Sequence, residues 1–242
     1  MEQNNIPHKQ NPSVIDWFII YIGTIILMNL FISTQIYPSV WIASMLPGGE
    51  NEVNLMFVHE ILQCAFIVGG VLLFLRLRGN TLQSIGWRPP QNEQIYVRAI
   101  IFGVLTCSLM LMVSGLLTQI FPQWANTQNV VSTVLQANSR WEVFAMFISV
   151  GVLAPLCEEV LFRGYLYHAV HVKFGKWVSL ILTSFLFAAV HGQWFQLLPL
   201  FLAGVCLNWF YLRTESLIAT VLMHSAWNTF SLFLVVYLNI VV

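Results

Sequence analysis

The chain has 242 residues, of which 58% are hydrophobic and only 8% are charged, and its mean hydropathy is +0.76. Because soluble domains carry about 25% charged residues, this composition excludes an ordinary soluble domain. The formal net charge is zero, and without a basic stripe or an aromatic platform nothing indicates nucleic acid as a partner. The composition predicts a membrane protein that lies in a lipid bilayer.

Runs of roughly 20 apolar residues predict membrane-spanning helices. Seven such runs follow one another along the chain, at residues 14–34, 53–75, 97–121, 141–167, 177–194, 197–212 and 217–238. We interpret the polar segment at 126–138 as an interfacial helix, and an eighth span is the alternative. The predicted fold class is therefore all-α, a polytopic transmembrane helical bundle of seven or eight spans, with residues 1–242 in a single transmembrane domain.

The loops between these runs predict the orientation of the chain. The first run is too long for the apolar part of a cleavable signal peptide, so we interpret it as a retained span. Basic residues recur in alternate loops, at Arg76, Arg78, Arg88, Arg98, Lys173, Lys176 and Arg213, and only Arg140 lies in the third loop between them. Since cytoplasmic loops carry an excess of lysine and arginine, we expect a multi-pass protein of the cell membrane with a cytoplasmic N-terminus and an external C-terminus.

The fourth run contains the segment CEEVLFRGYLYH, with two adjacent glutamates and an arginine. A charged side chain near the bilayer centre costs about 2.5–3.5 kcal/mol on insertion scales. Glu159 and Arg163 are four residues apart, so they share a helix face and can pair. Glu158 points about 100° away and lacks that partner, which makes it a candidate general base. The alternative is that these residues form a polar contact between helices.

Two later spans carry polar residues of kinds that catalysis uses. The fifth run ends in FLFAAVHG with His191, and the seventh contains MHSAWN, in which His224 and Asn228 share one helix face. With the two glutamates and the arginine, these side chains suit the activation of a water for hydrolysis, with or without a metal held by imidazole and carboxylate. The alternatives are a packed histidine at 191 and a hydrogen bond between helices made by the His–Asn pair.

Three segments together carry a resemblance to a known family: EEVLFR, FAAVH and HSAWN, at 158–163, 187–191 and 224–228. They fit the motifs EExxxR, FxxxH and HxxxN, in the right order and each on a separate span. In this the chain resembles the CPBP intramembrane proteases, the CAAX prenyl protease and bacteriocin-processing family that is also called Abi. The resemblance covers residues 141–230, which would form the catalytic core.

The resemblance implies a helical membrane endopeptidase of the CAAX-protease type. Its substrate would be a membrane-associated or lipidated protein or peptide. Glu158 would activate the attacking water, and Glu159 and Arg163 would be supporting residues that orient the groups around it.

The resemblance further implies roles for the imidazoles and the amide. His191 would position the water or bind a metal, and His224 and Asn228 would hold the metal or stabilise the developing oxyanion. The expected cofactor is a divalent metal, zinc first, on His191 and His224 with Glu159 as a further candidate ligand. No organic cofactor is expected.

Two other segments contain residues with catalytic chemistry. HEILQ at 59–63 differs by one residue from the zinc motif HExxH, since glutamine stands in place of the second histidine. Glutamine is a poor zinc ligand. We therefore interpret His59 and Glu60 as polar contacts that line an access path or pack near the outer end of their span. Cys157, next to Glu158, is a candidate nucleophile with a histidine as its base, although apolar burial keeps a thiol protonated. Like Cys64, Cys107 and Cys206, it is predicted to be a buried thiol within a span.

Two function classes other than an enzyme also fit intramembrane glutamate, histidine and asparagine. One is a small ion or proton-coupled transporter, against which stands the lack of an inverted repeat. The other is an immunity protein or scaffold that keeps the fold without cutting. Because every motif position is intact, we predict the endopeptidase.

Overall fold

The computed structural model describes residues 10–33, 38–124 and 129–238. Within them the chain forms ten α-helices and no strand: α1 (Val14–Ser33), α2 (Pro38–Ser44), α3 (Glu52–Leu77), α4 (Gln94–Ile120), α5 (Asn129–Leu135), α6 (Arg140–Ile148), α7 (Ala154–Glu159), α8 (Tyr167–Ala189), α9 (Leu197–Thr214) and α10 (Leu217–Leu238). The last residue of the predicted first span and the start of the polar segment at 126–138 lie outside the described residues. The rest of that polar segment contains the short helix α5.

Five helical runs are long and apolar enough to cross a membrane, and α1 contributes the shorter apolar stretch Val14–Leu30. One of the five, Arg140–Ala189, has 50 residues and is interrupted at Gly175, whose φ of 75° is not helical. A straight helix at 1.5 Å per residue would separate Phe162 from Phe187 by about 38 Å, yet their ring centroids are 5.4 Å apart. The chain therefore folds back at Gly175, and the all-α bundle of about seven spans that the sequence predicts is confirmed.

The fifth span ends earlier than the sequence predicts. Helix α8 ends at Ala189 and not at residue 194, because Gly192 takes a left-handed conformation with φ 67°. Such a conformation favours glycine and ends the helix. A short 3₁₀ turn, Trp194–Gln196, then leads into α9.

Two π-helical segments, Ser149–Leu153 and Val160–Leu166, flank α7 on the fourth span. Pro155 stands at the start of α7, and since proline has no N–H it cannot donate the helical hydrogen bond to the carbonyl four residues earlier. A π segment adds one residue to a turn and is frequent at functional sites. Here the two segments set the rotation of the short helix that carries Glu158 and Glu159.

Close helix packing in the bundle depends on small and polar side chains. Asn208 on α9 donates through Nδ2 to Thr183 Oγ1 at 3.0 Å and to Ser184 Oγ at 2.8 Å on α8. On α1, Asp16 accepts from Tyr165 Oη at 2.5 Å and from Arg78 Nη2 at 2.8 Å. These contacts bind α9 to α8, and α1 to the fourth span.

Gly103 on α4 lies directly against α10, so we predict that Gly103→Ala destabilises the bundle. An added Cβ would meet the carbonyl oxygen of Met223 and would lie 2.8 Å from the Cβ of Ala226. Overpacking of this kind lowers the free energy of unfolding by about 1–3 kcal/mol. Thermal unfolding of the purified protein in one detergent measures the loss.

Gly115→Ala is the matched control, because Gly115 lies on the same helix and a Cβ there would have no neighbour within 4 Å. It should unfold at or above the wild-type temperature, since alanine favours a helix over glycine. Equal destabilisation by the two changes would contradict this description of the α4–α10 contact.

Candidate active site

The two adjacent glutamates of α7 lie in different surroundings. Glu159 is completely buried, and its Oε1 accepts from Arg163 Nη1 at 2.8 Å and from His224 Nδ1 at 2.8 Å. Glu158 keeps 22% of its side chain exposed and lines a cavity. The predicted Glu159–Arg163 pair is therefore present, and Glu158 is the carboxylate that faces open space.

Arg163 is also completely buried, within the second π segment. Its Nη2 donates to the carbonyl of Gly204 on α9 at 3.1 Å, and its guanidinium lies 4.6 Å from the centroid of the Phe187 ring. Gly204 allows α9 to lie this close to α8, since a Cβ at this position would lie 3.0 Å from Cα of Ser184. The arginine thus joins the fourth span to α8 and α9 and neutralises the buried carboxylate.

His224 on α10 connects the two glutamates. Because the Glu159 carboxylate accepts a hydrogen bond from Nδ1 of His224, Nδ1 carries the hydrogen. The other ring nitrogen, Nε2, faces Glu158. The distance from Nε2 to Glu158 Oε2 is 3.8 Å, which is beyond a direct hydrogen bond. The ring stacks on Trp227 at a centroid distance of 4.9 Å, so its orientation is held from two sides.

His191 and Asn228 are each held by a backbone carbonyl. His191 donates through Nδ1 to the carbonyl of Phe187 at 2.7 Å, which leaves Nε2 free. Asn228 donates through Nδ2 to the carbonyl of Val150, in the first π segment, at 2.9 Å. Both residues line the same cavity as Glu158 and His224.

That cavity has a volume of about 320 Å³, within the range of small-molecule and peptide side-chain sites. Four of the six motif residues line it, and the other two, Glu159 and Arg163, are sealed behind it. Its remaining wall is mostly apolar, with four further polar side chains that sequence reasoning did not assign to the site: Glu60, Ser114, Gln196 and Ser231. Only Glu60 had a signal in the sequence, as a charged residue inside a predicted span.

The donor chemistry of His191, His224 and Glu159 is suited to zinc, but their geometry does not group them as ligands. Among the residues that the structure describes, no three His, Cys, Asp or Glu side chains lie close enough to hold an ion. The near oxygen of Glu159 is already bound by Arg163 and His224. The metal centre therefore stays a prediction, and the proposed catalytic steps do not involve a metal.

The other candidate residues, His59, Glu60 and Cys157, do not all lie at the cavity. Glu60 lines the cavity whereas its neighbour His59 does not, so HEILQ does not present its two polar residues to one site. Cys157 is completely buried, is absent from the cavity wall, and donates to the carbonyl of Ala154 at 3.3 Å. That position does not favour a thiol nucleophile.

Several known proteins resemble this chain, and one family model matches the segment that contains the three motifs. Residues 140–230 match the family described as "Type II CAAX prenyl endopeptidase Rce1-like". The "UPF0177 protein YxdF" of Lactococcus lactis is 28% identical over 171 residues, 70% of this chain and 89% of that protein. The "Putative membrane peptidase YdiL" of Bacillus subtilis is 25% identical over 220 residues, 88% of this chain and 86% of that protein. An uncharacterized 24.3 kDa protein of Escherichia coli is 33% identical over 96 residues, 38% of this chain and 44% of that protein.

No solved structure matches the chain. The matched model covers residues 140–230, the segment that contains the three motifs, and this segment is similar to type II CAAX prenyl endopeptidases. Beyond that segment the chain is similar to the two bacterial proteins YxdF and YdiL, and it is a multi-pass membrane protein with a helical bundle.

We predict that Arg163→Met strongly destabilises the protein, because it leaves the Glu159 carboxylate buried without its cation. Breaking a buried pair from one side typically costs about 3–5 kcal/mol. Thermal or denaturant unfolding in detergent measures the loss, and adding Glu159→Gln to Arg163→Met should recover part of it.

An exposed pair on the same chain provides the control. Arg88 and Glu215 are 2.6 Å apart, with 51% and 65% of their side chains exposed, so Arg88→Met should cost about 0–1 kcal/mol. If the two methionine variants lost similar stability, the buried pair would not have the structural importance described above.

Proposed function

We propose that this protein is an intramembrane endopeptidase that hydrolyses a peptide bond of a membrane-associated or lipidated protein or peptide. One observation carries the proposal. Oε2 of Glu158 and Nε2 of His224 lie 3.8 Å apart on the wall of one cavity, and each is aimed there by a neighbour that is itself buried. This is the arrangement that a carboxylate base and an imidazole need to hold one water between them.

In the proposed reaction, the attacking water donates one hydrogen to Glu158 and the other to Nε2 of His224. Its lone pair then points towards the carbonyl carbon of the substrate. Glu158 takes the proton as the C–O bond forms, and the C–N bond breaks when the amine nitrogen receives a proton. The apolar wall of the cavity limits bulk water, which strengthens each of these electrostatic interactions.

Asn228 and His191 act on the substrate carbonyl and amide. Nδ2 of Asn228 donates one hydrogen to Val150, and its second hydrogen is available to the oxygen that becomes negative. Donors held in advance at that position typically lower the barrier by a few kcal/mol. Nε2 of His191, which carries no hydrogen while Nδ1 donates to Phe187, accepts from the peptide N–H of the substrate.

The orientation of the protein in the cell membrane follows from its basic residues. Arg76, Arg78 and Arg88 lie at the end of the bundle where α3 ends and α4 begins, and Arg213 lies near them because Arg88 contacts Glu215. We propose that this end and the N-terminus are cytoplasmic, as the charge rule for membrane proteins requires. The cavity is lined by the middle and the later turns of α4 and α10, away from the basic end of the bundle. It would then lie in the outer half of the bilayer.

The central prediction is that Glu158→Gln abolishes proteolysis without unfolding the protein. Glutamine has the same shape but cannot take a proton from water. Mass spectrometry of protein and peptide termini, from membranes that express wild type or Glu158→Gln at matched levels, should find termini that appear only with wild type. Glu52→Gln, at the exposed start of α3, is the control and should resemble wild type.

Identical termini from folded wild type and Glu158→Gln would contradict the proposal. A binding or immunity role would then be favoured. A proton-coupled flux in liposomes that Glu158→Gln abolishes would favour a transporter instead.

A chelator separates the metal-free mechanism from the zinc that the sequence predicts. Because Glu158 and His224 suffice for the steps above, purified protein should keep its activity on the identified peptide in 1,10-phenanthroline. Loss of activity that zinc restores, with elemental analysis showing zinc bound, would contradict the metal-free steps and support the predicted ligands His191 and His224.

A further inference from the structure

A third carboxyl group lines the active-site cavity. Glu60 lies on α3, inside the predicted second span, and shares the cavity wall with Glu158, His191 and His224. Met56, one helical turn earlier on the same face, lines the cavity as well. Glu60 therefore lies on the wall of the site.

Among the described residues, no cation pairs with Glu60. The ion pairs there include Asp16, Glu158, Glu159 and Glu215, but not Glu60. Its polar contact is the thiol of Cys157, with Sγ 4.0 Å from Oε1. An unpaired carboxylate is costly in a bilayer, so an intramembrane carboxyl group of this kind indicates a function.

The titratable groups around Glu60 are a carboxyl group, two thiols and two imidazoles. Cys157 and Glu158 face it from α7, and Cys64 lies one turn away on its own helix. His191 and His224 complete the cavity wall. When two carboxyl groups share an apolar cavity, their mutual repulsion favours a state in which one of them keeps its proton.

Peptide hydrolysis needs both a base and an acid. The proposed mechanism assigns the base to Glu158, but the amine nitrogen must gain a proton before the C–N bond breaks. We propose that Glu60 is the general acid, a protonated carboxyl group that gives its proton to the leaving amine. This assignment rests on the proposed function and adds a second catalytic residue to it.

The step balances in atoms and charge. Water gives a proton to Glu158 and its oxygen to the carbonyl carbon. Glu60 gives a proton to the nitrogen, the C–N bond breaks, and the products are a carboxylic acid and an amine. The proton held by Glu158 then passes to Glu60 across the cavity, which restores both groups for the next cycle.

The test compares Glu60→Gln with wild type on two substrates of one sequence. The probes are the peptide identified by the comparison of termini and the same peptide with an ester at the cleaved bond. An amine needs a proton to leave, whereas an activated alcohol does not. Glu60→Gln should therefore reduce kcat on the amide about 10²–10⁴-fold and should leave kcat on the ester near the wild-type value, with KM little changed.

Two comparison variants show whether the loss is specific to the proton donor. Glu158→Gln should lose both the amide and the ester reaction, because both need the activated water. Glu52→Gln, on the same helix but exposed and outside the cavity, should change neither. Thermal unfolding shows that each variant is folded.

An equal loss on amide and ester would overturn the acid role of Glu60, and so would full activity of Glu60→Gln on the amide. Neither result would affect the proposed function, which fails only if Glu158→Gln remains active. Infrared spectroscopy needs no substrate: the carbonyl band of a protonated carboxyl group should be present in wild type and Glu52→Gln and absent from Glu60→Gln. Persistence of that band in Glu60→Gln would also overturn the inference.

Discussion

One oxygen of the Glu159 carboxylate holds the site together. Oε1 accepts from Arg163 and from His224, each at 2.8 Å, and all three side chains are at most 2% exposed. A buried charge in a bilayer is tolerated where it is paired. Because Arg163 also donates to the carbonyl of Gly204, pairing this one oxygen brings the fourth span, α9 and α10 into contact.

The buried pair also determines what its neighbour does. Consecutive residues on a helix point about 100° apart, so burying Glu159 turns Glu158 into the cavity. The two π segments, which hold Val150 and Arg163, set that rotation and give Asn228 a carbonyl partner. His191, His224 and Asn228 are thus each fixed by a hydrogen bond behind the cavity wall, which is the preorganisation that electrostatic catalysis requires.

Much of the fold could be predicted from the sequence, because apolar length and loop charge are properties of single segments. The limits of the apolar runs predict a loop between the fourth and fifth spans that contains Lys173 and Lys176, and the structure places the reversal there, at Gly175. The motif residues were also predicted, and the structure brings all six to one cavity or directly behind it. Their catalytic roles are still proposals.

Other features depend on how one helix lies against another, and no local pattern reports that. Spacing along one helix predicts the Glu159–Arg163 pair, but the partner of His224 depends on the relative depth of α7 and α10. The π segments follow from Pro155 only once the fourth span is packed. The sequence predicts only that Glu60 lines an access path or makes a polar contact near the outer end of its span, because its position on the cavity wall depends on the rotation of α3.

The central claim is that Glu159 fixes His224 with its hydrogen on Nδ1, so that Nε2 is free to hold the attacking water. Nitrogen NMR of ¹⁵N-histidine-labelled protein tests it most directly, with the His224 signals assigned by their loss in His224→Gln. We expect wild type to show a hydrogen on Nδ1 and a lone pair on Nε2, and Glu159→Gln to change that pattern. A hydrogen on Nε2 in wild type would contradict the account.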